Sequence, residues 1–213
     1  MISAVLFDFN GTLSDDEPVL CAIWQEIFAR LGKPMSEEDY YGRLAGRAEP
    51  EVAELWLGAG HPALEEVLAE RVRLYRDRVA DGSTVREPVR EAVRYATERV
   101  PVGVVSGAMH ADIDPVLTAA GIADHLSVVV AADEIEHGKP DPEGFLLALE
   151  RLPGRIEAAD VVALEDTAAG VAAAKAAGMR CVAVTGTMGP DRLAEADELV
   201  ERIDVPLMRR LLD

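Results

Sequence analysis

Four short segments of this 213-residue chain carry side chains that suit phosphate chemistry. In three of them, an apolar run with the character of a buried strand ends abruptly in an acid or a hydroxyl. The segments are Ala4–Thr12 with Asp8, Val104–Gly107 with Ser106, Gly138–Pro140 with Lys139, and Val161–Asp166 with Glu165 and Asp166. Because the carboxyl ends of parallel strands meet at one edge of an open sheet, we expect these side chains to converge on one crevice.

Together the four segments favour phosphoryl transfer. A carboxylate can attack phosphorus, and an acidic pair can bind Mg²⁺, which assists the transfer. We therefore predict a reaction that passes through an aspartyl-phosphate on Asp8. Each segment also has an ordinary structural interpretation: Asp8 as a turn residue, Ser106-Gly107 as a strand-to-helix turn, Lys139 as a solvated lysine, and Glu165-Asp166 as helix N-terminal acids. Their order along one chain favours the chemical interpretation.

The composition narrows the class of partner. The chain has 39 acidic and 21 basic residues, a net charge of −18 and 49% hydrophobic residues. This balance argues against nucleic acid and anionic membranes as partners. Cys21 and Cys181 have no metal-ligand spacing and are expected to be free, buried thiols in a reducing compartment. No stretch has the ~18 apolar residues that span a bilayer, and the first apolar run ends in Asp8, so we expect a cytoplasmic protein.

The elements that position these side chains are predicted from hydrophobic periodicity. Residues 3–9 form a buried strand, and residues 18–80 are helical with breaks near Gly32 and at 58–62. Thereafter helices and strands alternate: helix 88–98, strand 101–106, helix 110–120, strand 127–131, helix 142–151, strand 161–165, helix 168–177 and strand 180–184. This alternation predicts an α/β fold, a parallel sheet with helices on both faces. We expect one α/β domain made of 1–15 and 87–213, with an all-helical domain inserted at 16–86.

The order of these motifs resembles the haloacid dehalogenase superfamily of aspartate-nucleophile phosphotransferases. Within that superfamily, the chain is most similar to the group with a small helical cap, which contains β-phosphoglucomutase-like proteins and sugar-phosphate phosphatases. The resemblance covers nearly the whole chain, and it implies a Rossmann-like core with a helical cap inserted after the first motif.

The resemblance also implies a role for each motif residue. Asp8 attacks phosphorus and binds Mg²⁺, Ser106 and the Gly107 N–H hold the phosphate, and Lys139 bridges nucleophile and phosphate. The other metal ligands are the backbone carbonyl of Asn10 and the Asp166 carboxylate, with Glu165 either a further ligand or a partner of the ligands. The expected catalytic positions are Asp8, Asn10 and Lys139; the phosphate-binding positions are Ser106, Gly107 and Lys139; the metal-binding positions are Asp8, Asn10, Glu165 and Asp166.

Asn10 departs from the family pattern. Phosphatases and mutases of the family carry a second Asp there, which protonates the leaving oxygen and then activates water. An amide can neither deliver nor accept that proton, and losing acid–base catalysis costs about 10²–10⁴ in rate. Four explanations stay open. A nearby acid (Asp15, Asp16 or Glu17) replaces it, the leaving group needs no proton, the protein binds phosphate compounds and turns over slowly, or Asn10 is engineered.

The predicted cap also departs from the mutase pattern. Its first helix has Pro18-Val19-Leu20 where mutases carry a His, and Ala48-Glu49 replaces the polar-basic pair expected after the loop Arg43–Arg47. Arg43 and Arg47 either meet the substrate or are solvated. A phosphatase is therefore favoured over a phosphomutase. The acidic pair Glu165-Asp166 also disfavours a haloacid dehalogenase, because that enzyme needs no metal.

The sequence thus predicts a Mg²⁺-dependent phosphomonoester hydrolase that acts on a small phosphorylated metabolite as a monomer. The alternative is a catalytically attenuated protein of the same fold that binds phosphorylated metabolites. The histidines His61, His110, His125 and His137 show no metal-ligand spacing and receive no role.

Overall fold

The computed structural model describes residues 1–45, 47 and 49–213, which divide into two compact units. The first unit comprises Met1–Asp15 and Asp81–Asp213, and the second is the insert Asp16–Ala80. The insert therefore ends at Ala80 rather than at residue 86. Local hydrogen bonds explain the difference: the Ser14 hydroxyl lies 2.8 Å from that of Thr84, and the Asp15 N–H donates to the Thr84 carbonyl at 2.9 Å.

A parallel sheet forms the centre of the first unit. Its order in the described residues is β3-β2-β1-β4-β5-β6. The strands are β1 Ala4–Phe7, β2 Val102–Val105, β3 Val128–Val130, β4 Val161–Glu165, β5 Arg180–Val184 and β6 Glu198–Val200. The three central strands, β2, β1 and β4, are buried along their whole length, which explains their continuous apolar sequences. The predicted α/β, Rossmann-like fold is confirmed.

Helices account for most of the remaining described residues. In the insert they are α1 Glu17–Arg30, α2 Glu37–Asp39, α3 Glu49–Leu57 and α4 Leu64–Val79, with a π-helical turn at Tyr40–Leu44. In the first unit they are α5 Glu87–Thr97, α6 His110–Ala119, α7 Glu143–Arg151, α8 Ala168–Ala176 and α9 Val205–Leu212. Within the described part of the insert there is no strand, as predicted. None of the helices in the described ranges is both long and apolar enough to cross a membrane.

The strand β6 and the helix α9 are not indicated by the sequence periodicity. Strand β6 is only three residues long and lies at the sheet edge, where Leu199 is exposed, so it carries no apolar run. It forms because β5 offers a free edge, with Val184 in register with Val200. Helix α9 buries Leu207, Met208 and Leu211 and packs against α5. Helix α9 thus depends on a partner that is distant in sequence, and β6 depends on the edge of the strand before it.

The two cysteines of the chain are free and buried, as the sequence analysis expected. Cys21 lies on α1 in the insert and Cys181 on β5 in the sheet. Burial raises the pKa of both thiols, to about 11 for Cys21 and about 12 for Cys181. Both therefore carry a proton at neutral pH and serve as apolar packing groups.

Candidate active site

Strand register brings three of the predicted motifs to one edge of the sheet. Phe7, the last residue of β1, is in register with Val104 of β2 and Leu164 of β4. Asp8 therefore follows β1 at the level where β2 and β4 also end, and its N–H continues the ladder by donating to the Leu164 carbonyl at 2.9 Å. The structure thus places Asp8 between the Ser106 segment and the acidic pair.

Lys139 reaches this edge from the loop before α7 and joins two acids. Its Nζ lies 2.5 Å from Asp8 Oδ1 and 2.5 Å from Glu165 Oε1, and it donates to the Val105 carbonyl at 3.0 Å. Its side chain is only 15% exposed. Although burial disfavours the charged amine, the carboxylates of Asp8 and Glu165 raise the pKa of Lys139 above its ordinary value. The ammonium is therefore a permanent positive charge beside Asp8.

Burial shapes the proton affinity of Asp8 itself. It raises the pKa of the Asp8 carboxyl to about 7, although the Lys139 charge opposes the rise; the nearby Glu165 carboxylate adds to it. The single positive charge of Lys139 therefore does not neutralise the negative charge of the buried acids at this edge. Such a cluster favours a further positive charge, because uncompensated buried charge is costly.

The acids at this edge form a set that fits a divalent cation. Asp8, Glu165 and Asp166 are all buried, and each offers a carboxylate oxygen within 4.8 Å of the others. The Thr12 hydroxyl donates to Asp166 Oδ1 at 3.1 Å. An all-oxygen donor set of this kind suits Mg²⁺.

The turn after Asp8 approaches these acids closely, and only glycine allows it. Gly11 has φ +74°, and a Cβ there would lie 2.0 Å from Asp166 Oδ2 and 2.6 Å from the Thr187 hydroxyl. The N–H of Gly11 donates to the Ser14 carbonyl at 2.8 Å, which closes the turn. Asn10 is half-buried in this turn and forms a bridge with Ser14. The backbone at residue 10 is thus held next to the acidic cluster.

Glu165 is the most constrained of the acids. While Oε1 receives Lys139, Oε2 accepts the N–H of Asp166 at 3.1 Å and both the N–H and the hydroxyl of Thr167, at 3.3 and 3.2 Å. A Cβ on Gly170 would lie 1.9 Å from its carboxyl group, so glycine makes room for it in the first turn of α8. The Thr167 hydroxyl also caps α8 by accepting the Gly170 N–H at 3.0 Å.

Ser106 and Gly107 follow β2, next to the Val105 carbonyl that Lys139 binds. Ser106 is buried, its N–H donates to the Val130 carbonyl, and its Oγ accepts the Ala108 N–H at 3.0 Å. Gly107 is exposed, and a Cβ there would meet nothing within 4 Å. A serine hydroxyl and an open backbone segment thus face the same edge of the sheet as Asp8.

Three residues that support this edge were not predicted as site residues. These are Thr12, which binds Asp166, Thr167, which binds Glu165, and Gly170, which makes room for Glu165. Gly170 has a visible signal, because a glycine in the alanine-rich first turn of a helix lowers helix propensity without an evident local reason. The two threonines leave no such signal in the sequence, because a hydroxyl beside an acid is common in turns.

The three acids that were considered as replacements for the acid–base group at residue 10 have partners of their own. Asp15 is ion-paired with Arg86 within the first unit. In the insert, Asp16 accepts a hydrogen bond from the Tyr75 hydroxyl at 2.5 Å. Glu17 accepts one from the Tyr40 hydroxyl at 2.9 Å, and burial raises the pKa of Glu17 to about 7. The pKa of Glu17 therefore lies near neutrality.

The two cap arginines make contacts within the insert. The Arg43 guanidinium lies 5.5 Å from the centre of the Trp56 ring and 3.8 Å from Asp39. Arg47 donates to the Arg43 carbonyl at 2.7 Å and is ion-paired with Glu51. Both side chains are exposed, which fits the solvated interpretation. Gly46 of the loop Arg43–Arg47 and Ala48, which follows that loop, lie outside the described residues.

Comparison with known proteins identifies what the chain is similar to. Residues 2–178 match the model of a hydrolase family described as haloacid dehalogenase-like hydrolase. The chain is 32% identical to validoxylamine A 7'-phosphate phosphatase of Streptomyces hygroscopicus subsp. limoneus, over 94% of both chains. It is 32% identical to a phosphorylated carbohydrates phosphatase of Thermotoga maritima, over 84% of this chain and 82% of the relative.

A solved structure matches the whole chain. The crystal structure of an aspartate-to-asparagine mutant of CbbY from Rhodobacter sphaeroides, in complex with xylulose-(1,5)bisphosphate, has a TM-score of 0.83 and 27% identity. The match covers 100% of both chains.

Proposed function

Since the chain belongs to the haloacid dehalogenase-like hydrolase family, we propose that it is a Mg²⁺-dependent phosphatase that uses Asp8 as its nucleophile. That the chain belongs to this family confirms the resemblance that the four motifs indicated. The observation that carries the proposal is the contact of Lys139 with Asp8 beside the buried pair Glu165-Asp166. The substrate class we propose is a phosphorylated carbohydrate or a similar small metabolite, because relatives spanning most of the chain are named for such substrates.

In the first step, an Asp8 carboxylate oxygen attacks phosphorus and the bond to the leaving oxygen breaks. Lys139 lies within hydrogen-bond distance of Asp8, so its charge opposes the rise in the Asp8 pKa and offsets negative charge on the transferring group. The Ser106 hydroxyl and the Gly107 N–H are assigned to the phosphate oxygens. In the second step, water attacks phosphorus, the bond between phosphorus and the Asp8 oxygen breaks, and inorganic phosphate and free Asp8 are released. The proton that water gives to the solvent balances the one that the leaving oxygen takes from it.

Asp8, Asp166 and the backbone carbonyl of Asn10 would hold the metal ion. When bound, Mg²⁺ neutralises phosphate charge and orients the group for in-line displacement. We propose that Glu165 binds Lys139 rather than the metal ion, because four hydrogen-bond donors already occupy the two oxygens of Glu165. Its fixed carboxylate aims the ammonium at Asp8.

Because residue 10 is Asn, we expect protonation of the leaving oxygen to limit turnover. The Asn10 amide can hydrogen-bond to the leaving oxygen but cannot protonate it, so a poor leaving group departs slowly. We therefore expect higher turnover with leaving groups of low pKa, such as p-nitrophenolate, than with sugar alkoxides.

A second candidate function is a binding protein for phosphorylated metabolites with little turnover. Two observations favour it: Asn10 in this chain, and the bisphosphate complex of the asparagine mutant of CbbY. Both candidates require the same Mg²⁺ and phosphate sites. They differ in whether phosphate is released.

The decisive experiment measures phosphate release from p-nitrophenyl phosphate and from a panel of sugar phosphates, with Mg²⁺ and with a chelator. We expect Mg²⁺-dependent release that Asp8→Asn abolishes. The exposed Asp124→Asn, which makes the same chemical change in the turn Ala123–His125, should leave the rate unchanged. Activity that survives Asp8→Asn or chelation contradicts the mechanism. Tight Mg²⁺-dependent binding without release supports the second candidate.

Two further parts of the proposal concern the state of the protein. We propose a monomer in the cytoplasm. Light scattering at micromolar concentration, where a dimer would double the mass of 22.9 kDa, tests the first part. Cell fractionation tests the second.

A further inference from the structure

The segment 106–109 joins the end of β2 to the start of α6, and we call it the phosphate-binding loop. It carries Ser106 and Gly107, and its next residue, His110, is the first residue of α6. Because the loop is so short, the position of the α6 N-terminus decides where its backbone N–H groups point. Met109, the N-cap residue, provides no side-chain hydrogen bond to the helix. Something else must hold this helix start.

The turn after β3 holds it. Ala132 donates its N–H to the Ala108 carbonyl at 2.9 Å, and Asp133 Oδ1 accepts the N–H of His110 at 3.0 Å. The His110 ring adds a side-chain link, because its Nε2 lies 2.8 Å from Glu134 Oε2. Three hydrogen bonds therefore join the phosphate-binding loop and the first residue of α6 to one turn.

Glu134 is itself firmly held. Arg151 of α7 lies 2.5 Å from its Oε1, and the Ala131 N–H donates to its Oε2 at 3.2 Å. On the other side of the ring, His110 Nδ1 lies 3.1 Å from Asp114 Oδ1, one turn along α6. Both ring nitrogens therefore face carboxylates, and only the imidazolium can donate to both.

The proton balance of the ring agrees with this geometry. Burial disfavours a charged ring, but the hydrogen bonds to Asp114 and Glu134 outweigh it and raise the pKa of His110 above its ordinary value. The charged groups that face the ring are Asp114 on α6, Asp133 and Glu134 on the turn after β3, and, through Glu134, Arg151 on α7.

We propose that His110 is a positioning residue for phosphate: as an imidazolium linked to Glu134 and Asp114, it fixes the start of α6 and so the N–H groups of the phosphate-binding loop. The inference rests on the proposed function in one respect, namely that the loop holds the phosphate of the substrate. Once the ring loses its proton, a nitrogen lone pair faces a carboxylate and the link to one acid is lost. Phosphate binding then weakens as the pH rises through the His110 pKa.

The experiment compares the Kd of inorganic phosphate, with Mg²⁺ present, for wild type and His110→Ala from pH 5.5 to 9 by calorimetry. The control is His125→Ala. His125 is an exposed histidine in the turn Ala123–His125, which precedes β3 and so lies at the amino ends of the strands, away from the site. The ratio of variant to wild-type Kd cancels the titration of phosphate and of Asp8. We expect a ratio of about tenfold at low pH, the usual effect of one charge-assisted hydrogen bond. It should fall at high pH, where wild type has lost one of the two links that the variant lacks.

A second variant keeps the test decisive if His110→Ala does not fold. Glu134→Gln preserves the size of the side chain, and Glu150→Gln on α7 is its exposed control. We expect weaker phosphate binding for Glu134→Gln at low pH and no change for Glu150→Gln. The amide resonances of Gly107 and Ala108 should follow the His110 titration in wild type and lose that component of their pH dependence in His110→Ala.

The outcomes separate this inference from the proposed function. Wild-type protein that binds phosphate, with a variant ratio near one or one that does not change with pH, overturns the role of His110 alone. Wild-type protein that neither binds nor releases phosphate overturns the proposed function and, with it, this inference. A split in which KM rises about tenfold while kcat changes little supports a role in phosphate positioning rather than in chemistry.

Discussion

The two units of the chain each bury carboxyl groups, but they compensate them in different ways. In the first unit, Asp8 and Glu165 share the Lys139 ammonium. In the insert, Asp16 and Glu17 accept hydrogen bonds from tyrosine hydroxyls instead. Burial raises the pKa of both Asp8 and Glu17 to about 7.

The two acids have similar proton affinities, but a buried ammonium lies beside Asp8 and a neutral phenol beside Glu17. Glu17 accepts a neutral hydrogen bond from a phenol, and this bond and the charge of Arg71 oppose the rise in the Glu17 pKa without cancelling it. Lys139 is different, because its buried ammonium is a full charge that needs an ionised carboxylate beside it. The cluster at Asp8 is therefore suited to hold further charged groups, a metal ion and a phosphate. The predictions below test this distinction.

The largest expected effect follows from Lys139→Ala. It leaves Asp8 and Glu165 buried without their ammonium, so we expect a loss of about 3–5 kcal/mol in the free energy of unfolding. Phosphatase activity should fall by about 10³-fold or more, because the charge beside the nucleophile is gone. Denaturant unfolding and steady-state kinetics measure the two effects. The control is Lys175→Ala, whose exposed pair with Asp197 should contribute about 0–1 kcal/mol. Equal effects of the two variants would contradict the comparison.

Asn10→Asp sharpens the comparison by adding an acid beside the cluster. A carboxyl at this position can protonate the leaving oxygen and activate water, so turnover of sugar phosphates should rise, by up to about 10²–10⁴. Mass spectrometry must first establish that Asn10, which precedes Gly11, is not already deamidated in the starting protein. If the substitution raises turnover on no substrate, another residue carries the proton, and Glu17→Gln is the next variant to assay.

Glu17→Gln tests the insert through the pH dependence of stability. The folded-state pKa of about 7 exceeds the ordinary value of 4.5, so the folded protein binds this proton more tightly than the unfolded chain. The resulting stability is fully present below pH 4.5 and is lost as the pH rises through 7. Glutamine stays neutral, so the variant should gain about 1–3 kcal/mol over wild type at pH 8 and little at pH 4.5. Thermal unfolding at both pH values measures it.

Two controls connect this result to Asp8. Glu54→Gln, at an exposed position of α3, should show no such dependence on pH. In wild type, saturating Mg²⁺ should remove the contribution of Asp8 to the pH dependence, because the metal competes with the proton there. It should leave the contribution of Glu17 unchanged. A Mg²⁺ effect on both would mean that the two acids respond as one system.

The smallest effect concerns Gly170, which makes room for Glu165. Gly170→Ala would place a methyl group 1.9 Å from that carboxyl, so overpacking should cost about 1–3 kcal/mol in unfolding free energy. Activity should also fall, because Glu165 aims Lys139. Gly189→Ala is the matched control, since a Cβ there meets nothing within 4 Å. A Gly170→Ala variant with wild-type activity would show that the position of Glu165 is not critical.

The amino-acid sequence by itself determined the central strands and the residues at their ends. A strand buried on both faces must be a continuous apolar run, so β1, β2 and β4 are readable, and a charge at the end of such a run stands out. The order of four motifs then indicates the family, which the comparisons confirm. Short elements without an apolar run, such as β6, leave no such trace.

Only the tertiary structure decided which side chains meet. The order of the motifs predicted that Lys139 reaches Asp8, but nothing in the sequence reveals that it also joins Glu165. The same is true of His110, whose partner Glu134 comes from the turn after the next strand. These contacts depend on the order and register of the strands. Order and register are set in turn by the packing of the whole first unit, which no short segment of sequence contains. Sequence spacing therefore identifies the groups that can do chemistry, while the fold selects their partners, their burial and their proton affinities.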